Sequence, residues 1–350
     1  MDEARAGTAD GGASSWRLCV APMMEWTDRN CRAFHRLVSP HARLYTEMVT
    51  TGALLHGDVA RHLDFDASEH PVALQLGGSE PQDLARCARL GQSWGYDEIN
   101  LNCGCPSERV QRGAFGACLM AEPALAADCV RAMREAVSVP VTVKHRLGIG
   151  RGEEYGFVRD FVGALREAGC GVFIVHARNA WLQGLSAREN REVPPLRHQV
   201  ARRLKAEFPE AVFVLNGGLE QVGQALEAAR GLDGIMLGRV AYQQPLRLAQ
   251  FDAALFGTPR QALEPGEIIE PLSRYLETAV ARGVPPWAVI RHTLGLFHGM
   301  RGAREWRRRL SDPGFVAAHG TQALREAARA LQRAPCEAPR PDLKSVPARP

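Results

Sequence analysis

The stretch richest in chemistry is Asn102-Cys103-Gly104-Cys105-Pro106-Ser107, followed by Gly113, Gly116 and Cys118. Two cysteines one residue apart are too close to be ligands of one tetrahedral zinc, and no other cysteine pair completes such a set, so no metal is expected. Gly104 and Pro106 end any strand that reaches Cys103 and place Cys105 on a loop. There a thiol can serve as a positioned proton donor, because a pKa of about 8.5 leaves it protonated at neutral pH yet able to release the proton. Cys103 reads as an inert core thiol.

A second group of residues points to an anionic ligand. Asn216-Gly217-Gly218 and Gly238-Arg239 can present backbone N–H groups to a phosphate, with Arg239 as its charge partner, although a glycine pair also makes an ordinary tight turn. Lys144 at a strand end facing a pocket needs an anion or an electron-rich ring, and a reduced flavin becomes negative at N1. Gln75 and His176 each have a purely structural reading as well, but Gln75, Lys144, His176 and the two glycine loops together suit an FMN site.

These residues end short apolar runs separated by helix-length segments. Eight such runs occur: Arg17–Met23, Leu44–Val49, Val72–Gly77, Glu98–Cys103, Val141–Arg146, Val172–His176, Val212–Asn216 and Gly234–Arg239. Strand and helix patterns alternating this way predict a parallel sheet, and the count predicts an α/β (β/α)8 TIM barrel over residues 16–257. An open doubly wound sheet is the alternative. Polar residues gather where the runs end: Glu47, Gln75, Asn100, Asn102, Lys144, His145, His176, Arg178, Asn216 and Arg239. In a barrel those ends share one face, the usual place for chemistry.

Beyond Gly257 the pattern turns helical, at Pro265–Arg282, Pro286–His298, Ala303–Leu310 and Gly314–Gln332, which predicts a small all-helical C-terminal domain over 258–333. Residues 1–15 and the proline-rich tail 334–350 read as disordered.

With 350 residues, 45% of them hydrophobic and 23% charged, the chain can bury a large core, and neither a membrane span nor a signal peptide is evident. A cytoplasmic protein with reduced thiols is expected, its nine cysteines forming no disulfide framework. The net charge of +4 is mild, but residues 287–333 hold nine arginines and no lysine against three acids, a local excess larger than that of the whole chain. Arg301, Arg304 and Arg308 can share one face if a helix runs through them, with Gly302 obscuring its start. A basic face of this kind suits a nucleic acid.

Ala21-Pro-Met-Met-Glu-Trp-Thr-Asp, Leu44-Tyr-Thr-Glu-Met-Val-Thr-Thr-Gly-Ala, Asn100-Leu-Asn-Cys-Gly-Cys-Pro-Ser, Val143-Lys-His-Arg, Val175-His-Ala-Arg and Leu215-Asn-Gly-Gly resemble the tRNA-dihydrouridine synthases, over about residues 16 to 310. Ala180–Arg191 and Leu296–Arg308 resemble the A-type bacterial subfamily, which acts on positions 20 and 20a of the tRNA D-loop. The resemblance implies an FMN oxidoreductase, reduced by NADPH, that passes hydride from flavin N5 to uracil C6 while a cysteine protonates C5.

By the same resemblance the proton donor falls on Cys105. The flavin contacts fall on Pro22, Met23, Met24, Gln75, Lys144, His176, Asn216, Gly217, Gly218, Gly238 and Arg239, and the tRNA contacts on Asn102, Gln183, Ser186, Arg301 and Arg304. Glu25 stands where the family more often has Asp, which keeps the carboxylate, and Gln183 where Lys is expected, which removes a cation. No nicotinamide-binding fingerprint is present, which fits NADPH and substrate visiting the flavin in turn, and no protein partner is required. An FMN barrel reducing a free enone or pyrimidine is the alternative, and it would not need the arginines between 301 and 309. A tRNA-binding protein without turnover is a further one.

Overall fold

Eight strands pair in parallel, in chain order, and the last closes on the first. They are β1 (Leu18–Val20), β2 (Arg43–Thr50), β3 (Val72–Gly77), β4 (Glu98–Cys103), β5 (Val141–His145), β6 (Val172–His176), β7 (Val212–Asn216) and β8 (Gly234–Leu237). The computed structural model describes residues 13–152, 154–257 and 265–333. With helices between successive strands this is the (β/α)8 barrel the alternation predicts. Near-continuous apolar runs form these strands because helices cover the outside of the sheet while side chains fill its centre.

β3, β4, β6 and β7 span the predicted residues. β1 stops at Val20 rather than Met23, since Pro22 cannot donate to a neighbouring strand. β8 stops at Leu237, and Gly238 caps a short helix, Arg239–Gln243. Ordered chain begins before residue 16, because Ala13–Trp16 form a 3₁₀ turn whose Ser15 carbonyl accepts from Arg43. The expected disorder of the rest of the N-terminus and of 334–350 lies outside the described residues.

β4 carries an unusual load. Its alternation sends Glu98, Asn100 and Asn102 to one face and Ile99 and Leu101 to the other, and all are buried. Register sets Gln75 and Thr142 on either side of Asn100, and Lys144 beside Asn102. The barrel therefore holds a ladder of polar groups that must satisfy one another.

The helical C-terminal segment packs on the outside of the barrel's first turn. Asp28 caps the helix Arg29–Val38, its carboxylate accepting from the Cys31 N–H, and also takes Arg291 Nη2 at 2.6 Å and His292 Nε2 at 3.1 Å. Together these donors hold the Asp28 carboxyl down at about 2, against the burial that would raise it. His292 Nδ1 meets the Tyr242 hydroxyl at 3.2 Å, and Tyr242 stacks on Trp26 with ring centroids 4.3 Å apart. Trp306, fully buried, donates to the Thr293 carbonyl at 2.9 Å and packs edge-on against Phe297.

Two expected helices are interrupted. Pro286–Ile290 gives way to a 3₁₀ turn at Arg291–Thr293, and Pro313–His319 is separated from Ala323–Arg333 at Gly320, whose φ of +51° breaks the helix. The helix Ala303–Leu310 starts after Gly302, at φ +80°, so Arg301 lies outside it and does not share a helical face with Arg304 and Arg308. Arg308 and Arg309 both pair with Glu305. Among the described residues no helix is long and apolar enough to cross a membrane.

Candidate active site

The C-terminal strand ends open into a cavity of about 880 Å³, walled by Pro22, Met23 and Met24 after β1, by Gln75 and Asn102, by Cys105, and by Lys144 and His176. A second depression of about 390 Å³ is lined by Gly218 and Arg239 with Arg178, Arg191 and Glu192. Arg191 lines both, so the two are adjacent.

Cys105 owes its position to Asn102. The Asn102 Oδ1 accepts the Gly104 N–H at 3.0 Å and the Cys105 N–H at 2.9 Å, which fixes the turn as the chain leaves β4. From the other side the Ala117 N–H reaches the Cys105 carbonyl at 3.0 Å, and Gln111 Nε2 bridges the carbonyls of Pro106 and Leu182. The thiol is partly buried, with Ser107 Oγ 3.4 Å away, whereas Cys103 is wholly enclosed and its thiol pushed well up by burial. The eight described cysteines are all free thiols.

Around Lys144 the charge is one-sided. Its ammonium donates to Asn216 Oδ1 at 3.1 Å, and burial, reinforced by Arg146, pulls its pKa from 10.5 down to about 7. His176 is held well below its ordinary value by burial and then by Arg146 and Lys144, so it is neutral. Arg178 and Arg191 are lowered by burial and then by Arg239. Lys144, Arg146, Arg178, Arg191 and Arg239 thus gather here, and Glu192, paired to Arg239, also faces Arg178 and Arg191. An anion is the missing partner for such a set.

The glycine loop admits no side chain of its own, because His176 and Leu196 crowd it. Gly217 at φ +106° and Gly218 at φ +70° both adopt left-handed backbone, and a Cβ on them would come within 2.7 Å of His176 and 2.4 Å of Leu196. Gly238, by contrast, has open space around its Cβ position and only caps the helix at Arg239.

The expected RNA-contacting residues are not all alike. Gln183 is exposed. The Ser186 hydroxyl donates to Glu189 Oε2 at 2.7 Å and accepts the Glu189 N–H at 3.2 Å, a local cap that already uses its hydrogen-bonding capacity. Arg301 and Arg304 are both exposed on the helical segment.

Two residues, Arg146 and Arg191, escape the sequence reading, which places Glu47 only among the polar strand ends. Arg146, nearly fully buried and pushed down to about 9 by burial, donates to the carbonyls of Gly104, Asn179 and Asn190 and so ties the Cys105 loop to the loop after β6. Its position two residues beyond Lys144, on the inward alternation of β5, was the available signal. Arg191 joins the two depressions, and nothing in its local sequence marks it. Glu47 accepts the Glu25 N–H, holding Glu25 at φ +65°, a left-handed conformation that Asp adopts more readily than Glu.

Against known proteins, the family model described as Dihydrouridine synthase (Dus) matches residues 19–333. A Pseudomonas aeruginosa protein is 56% identical over 299 residues, covering 85% of this chain and 90% of its own. A Pseudomonas putida protein is 54% identical, covering 91% of this chain and 95% of its own, and a Vibrio parahaemolyticus protein 52%, covering 89% and 96%. All three are named tRNA-dihydrouridine(20/20a) synthase. With the match running from β1 to the last described helix, this chain belongs to the dihydrouridine synthase family.

Proposed function

We propose that the protein reduces the C5=C6 bond of uridine to dihydrouridine at positions 20 and 20a of the tRNA D-loop, with FMN as cofactor and NADPH as reductant. The observation that carries this reading is the placement of a fixed, partly buried thiol, Cys105, in the same cavity as Lys144, Gln75 and His176. The residues fit FMN on chemical grounds: the gathered cations Lys144, Arg146, Arg178, Arg191 and Arg239 suit an anion, and the left-handed Gly217–Gly218 turn leaves its backbone bare of side chains. FMN, when bound, carries hydride from NADPH to uracil C6.

The chain's own residues do the rest. Gly217, Gly218 and Arg239, with Arg178 and Arg191, hold the phosphate. Lys144, Gln75 and His176 would hold the flavin ring, Lys144 offering charge to its reduced form, and Pro22, Met23 and Met24 would give it an apolar wall. Asn216 orients the Lys144 ammonium, and Gly238 starts the helix that carries Arg239. Hydride addition at C6 leaves an enolate conjugated with the C4 carbonyl, which needs one proton at C5, and Cys105 gives it. Asn102, beside Cys105, faces the target base, which leaves its stack to enter the cavity.

Gln183, on a loop whose cap is Ser186, and Arg301 and Arg304 hold the tRNA. A tRNA-modifying role also places the protein in the cytoplasm. The direct test is to map dihydrouridine in tRNA from a strain lacking the gene, with and without its restoration. Persistence of dihydrouridine at both positions would sink the assignment, and turnover of free uridine at a comparable rate would favour a small-molecule reductase.

The RNA surface gives a separate expectation. Arg301→Ala with Arg304→Ala weakens tRNA binding and reduces the slope of log affinity against log salt by roughly 0.7 to 0.9 for each phosphate no longer neutralised, with flavin reduction by NADPH unchanged. Titrating tRNA at several salt concentrations measures it. An unaltered slope and affinity place the RNA on another surface.

A further inference from the structure

The direction of the hydrogen bonds that Asn102 makes to the Cys105 turn is dictated from the barrel floor. Glu98 is fully buried there and receives three hydrogen bonds, from Trp16 Nε1 at 2.8 Å, Tyr45 OH at 2.7 Å and Thr142 Oγ1 at 2.5 Å, with the Arg43 guanidinium ion-paired to it at 3.2 Å. A carboxylate so surrounded only accepts. The Thr142 hydroxyl therefore spends its single proton on Glu98, and its oxygen must accept from Asn100 Nδ2, 2.8 Å away. Asn100 is then left to accept with Oδ1, and Gln75 Nε2 donates to it at 2.7 Å. Gln75 in turn accepts with Oε1 from Asn102 Nδ2 at 2.8 Å. Only after these commitments does Asn102 face the turn with its oxygen, where the Gly104 and Cys105 N–H groups need an acceptor.

Reversal at any link propagates. Were Thr142 to stop donating downward, the Asn100 and Gln75 amides could invert, and Asn102 would set its NH2 against two backbone N–H groups, donor against donor. Asn100 and Thr142 are both wholly buried, so no bulk solvent is at hand to absorb the mismatch.

We propose that Glu98, acting through Thr142, Asn100 and Gln75, sets the orientation of Asn102 and so positions the Cys105 loop, making Thr142 a positioning residue two side chains away from anything the substrate touches. The proposal rests on Cys105 being the proton donor only for its effect on turnover, not for the placement of the loop.

Thr142→Val, Thr142→Ser and Thr142→Ala in the full-length, flavin-loaded protein test it with two readouts. One is kcat and KM for unmodified tRNA; the other is the rate at which iodoacetamide alkylates Cys105, read by peptide mass spectrometry. Thr142→Val, which keeps the packing volume, is expected to lower kcat about tenfold or more with KM changed less than about twofold, and to change the alkylation rate several-fold. Thr142→Ser, which leaves a small cavity but restores the hydroxyl, returns both to within about twofold of the parent. A role in packing alone predicts the opposite order. Should Thr142→Val fail to fold, Ser against Ala makes the same comparison, since the two differ by the hydroxyl alone. Equal behaviour with and without the hydroxyl, in both readouts, overturns the proposal. Alkylation altered in Thr142→Val and restored in Thr142→Ser, with turnover intact, upholds the positioning chain and removes Cys105 from the chemistry instead.

Discussion

Cys105→Ala lowers dihydrouridine formation by on the order of 10²–10⁴-fold, the usual worth of a positioned general acid, while the protein keeps its flavin and its reduction by NADPH. The separation follows from the site's layout. The turn carrying Cys105 is held by backbone and amide contacts from Asn102, Ala117 and Arg146, none of which uses the thiol, so its removal leaves the walls standing. Single-turnover oxidation of the reduced enzyme by tRNA isolates the step. Cys103→Ala is the control: its thiol is enclosed in the core, so the change trims packing and leaves the oxidative step within a few-fold of normal. Equal defects in the two variants would show that the wrong cysteine was chosen as the acid.

Lys144→Met removes flavin retention and, in the flavin-free protein, raises thermal stability at neutral pH. Burial and Arg146 bring the Lys144 pKa from 10.5 to about 7, so between those values the unfolded chain binds a proton that the folded chain has released. Stability of the flavin-free parent therefore rises with pH from about 7 towards 10, and below 7 the fold bears the full burden of the buried ammonium, which is worth several kcal/mol. Methionine fills similar volume without the charge, so the variant melts a few degrees higher near pH 7 and no longer shows that pH-dependent rise. Binding of an anionic cofactor restores the lysine's charge, and FMN association with the parent at pH 8 should take up a proton. Calorimetry in two buffers of different ionisation enthalpy measures the uptake. Normal flavin occupancy in Lys144→Met, or identical stability profiles, would remove Lys144 from the cofactor site.

How far the sequence could be read depended on whether a feature was local. β3, β4, β6 and β7 are legible to the residue because an apolar run, then Gly, Asn or His, marks both the buried strand and its end. Cys105 is legible because Gly104 and Pro106 on either side announce a loop. Arg146 and Glu98 are not, since their meaning comes from partners 33 to 82 residues away that barrel closure brings within reach. Ser186 is a local case, its three-residue spacing to Glu189 being a capping signature. The arginine run misled in another way: its three- and four-residue spacing suggested one continuous face, but the left-handed Gly302 starts the helix after Arg301.

The carboxylate of Asp28 belongs at once to the cavity wall, to the first barrel helix and, through Arg291 and His292, to the helical segment. The two parts of the chain are consequently not modules that can be cut apart. A barrel ending at Gly257 would keep the half-buried Asp28 without its Arg291 and His292 partners and would lack the His292 ring behind Tyr242, whose own ring stacks on Trp26 of the same loop. The loop from Met23 to Asp28 would loosen in such a truncated protein, and weaker RNA binding would be inseparable from a damaged cofactor pocket. Grafting the helical segment onto another barrel to redirect it to tRNA meets the same obstacle: the recipient must also supply this aspartate at the head of its first helix.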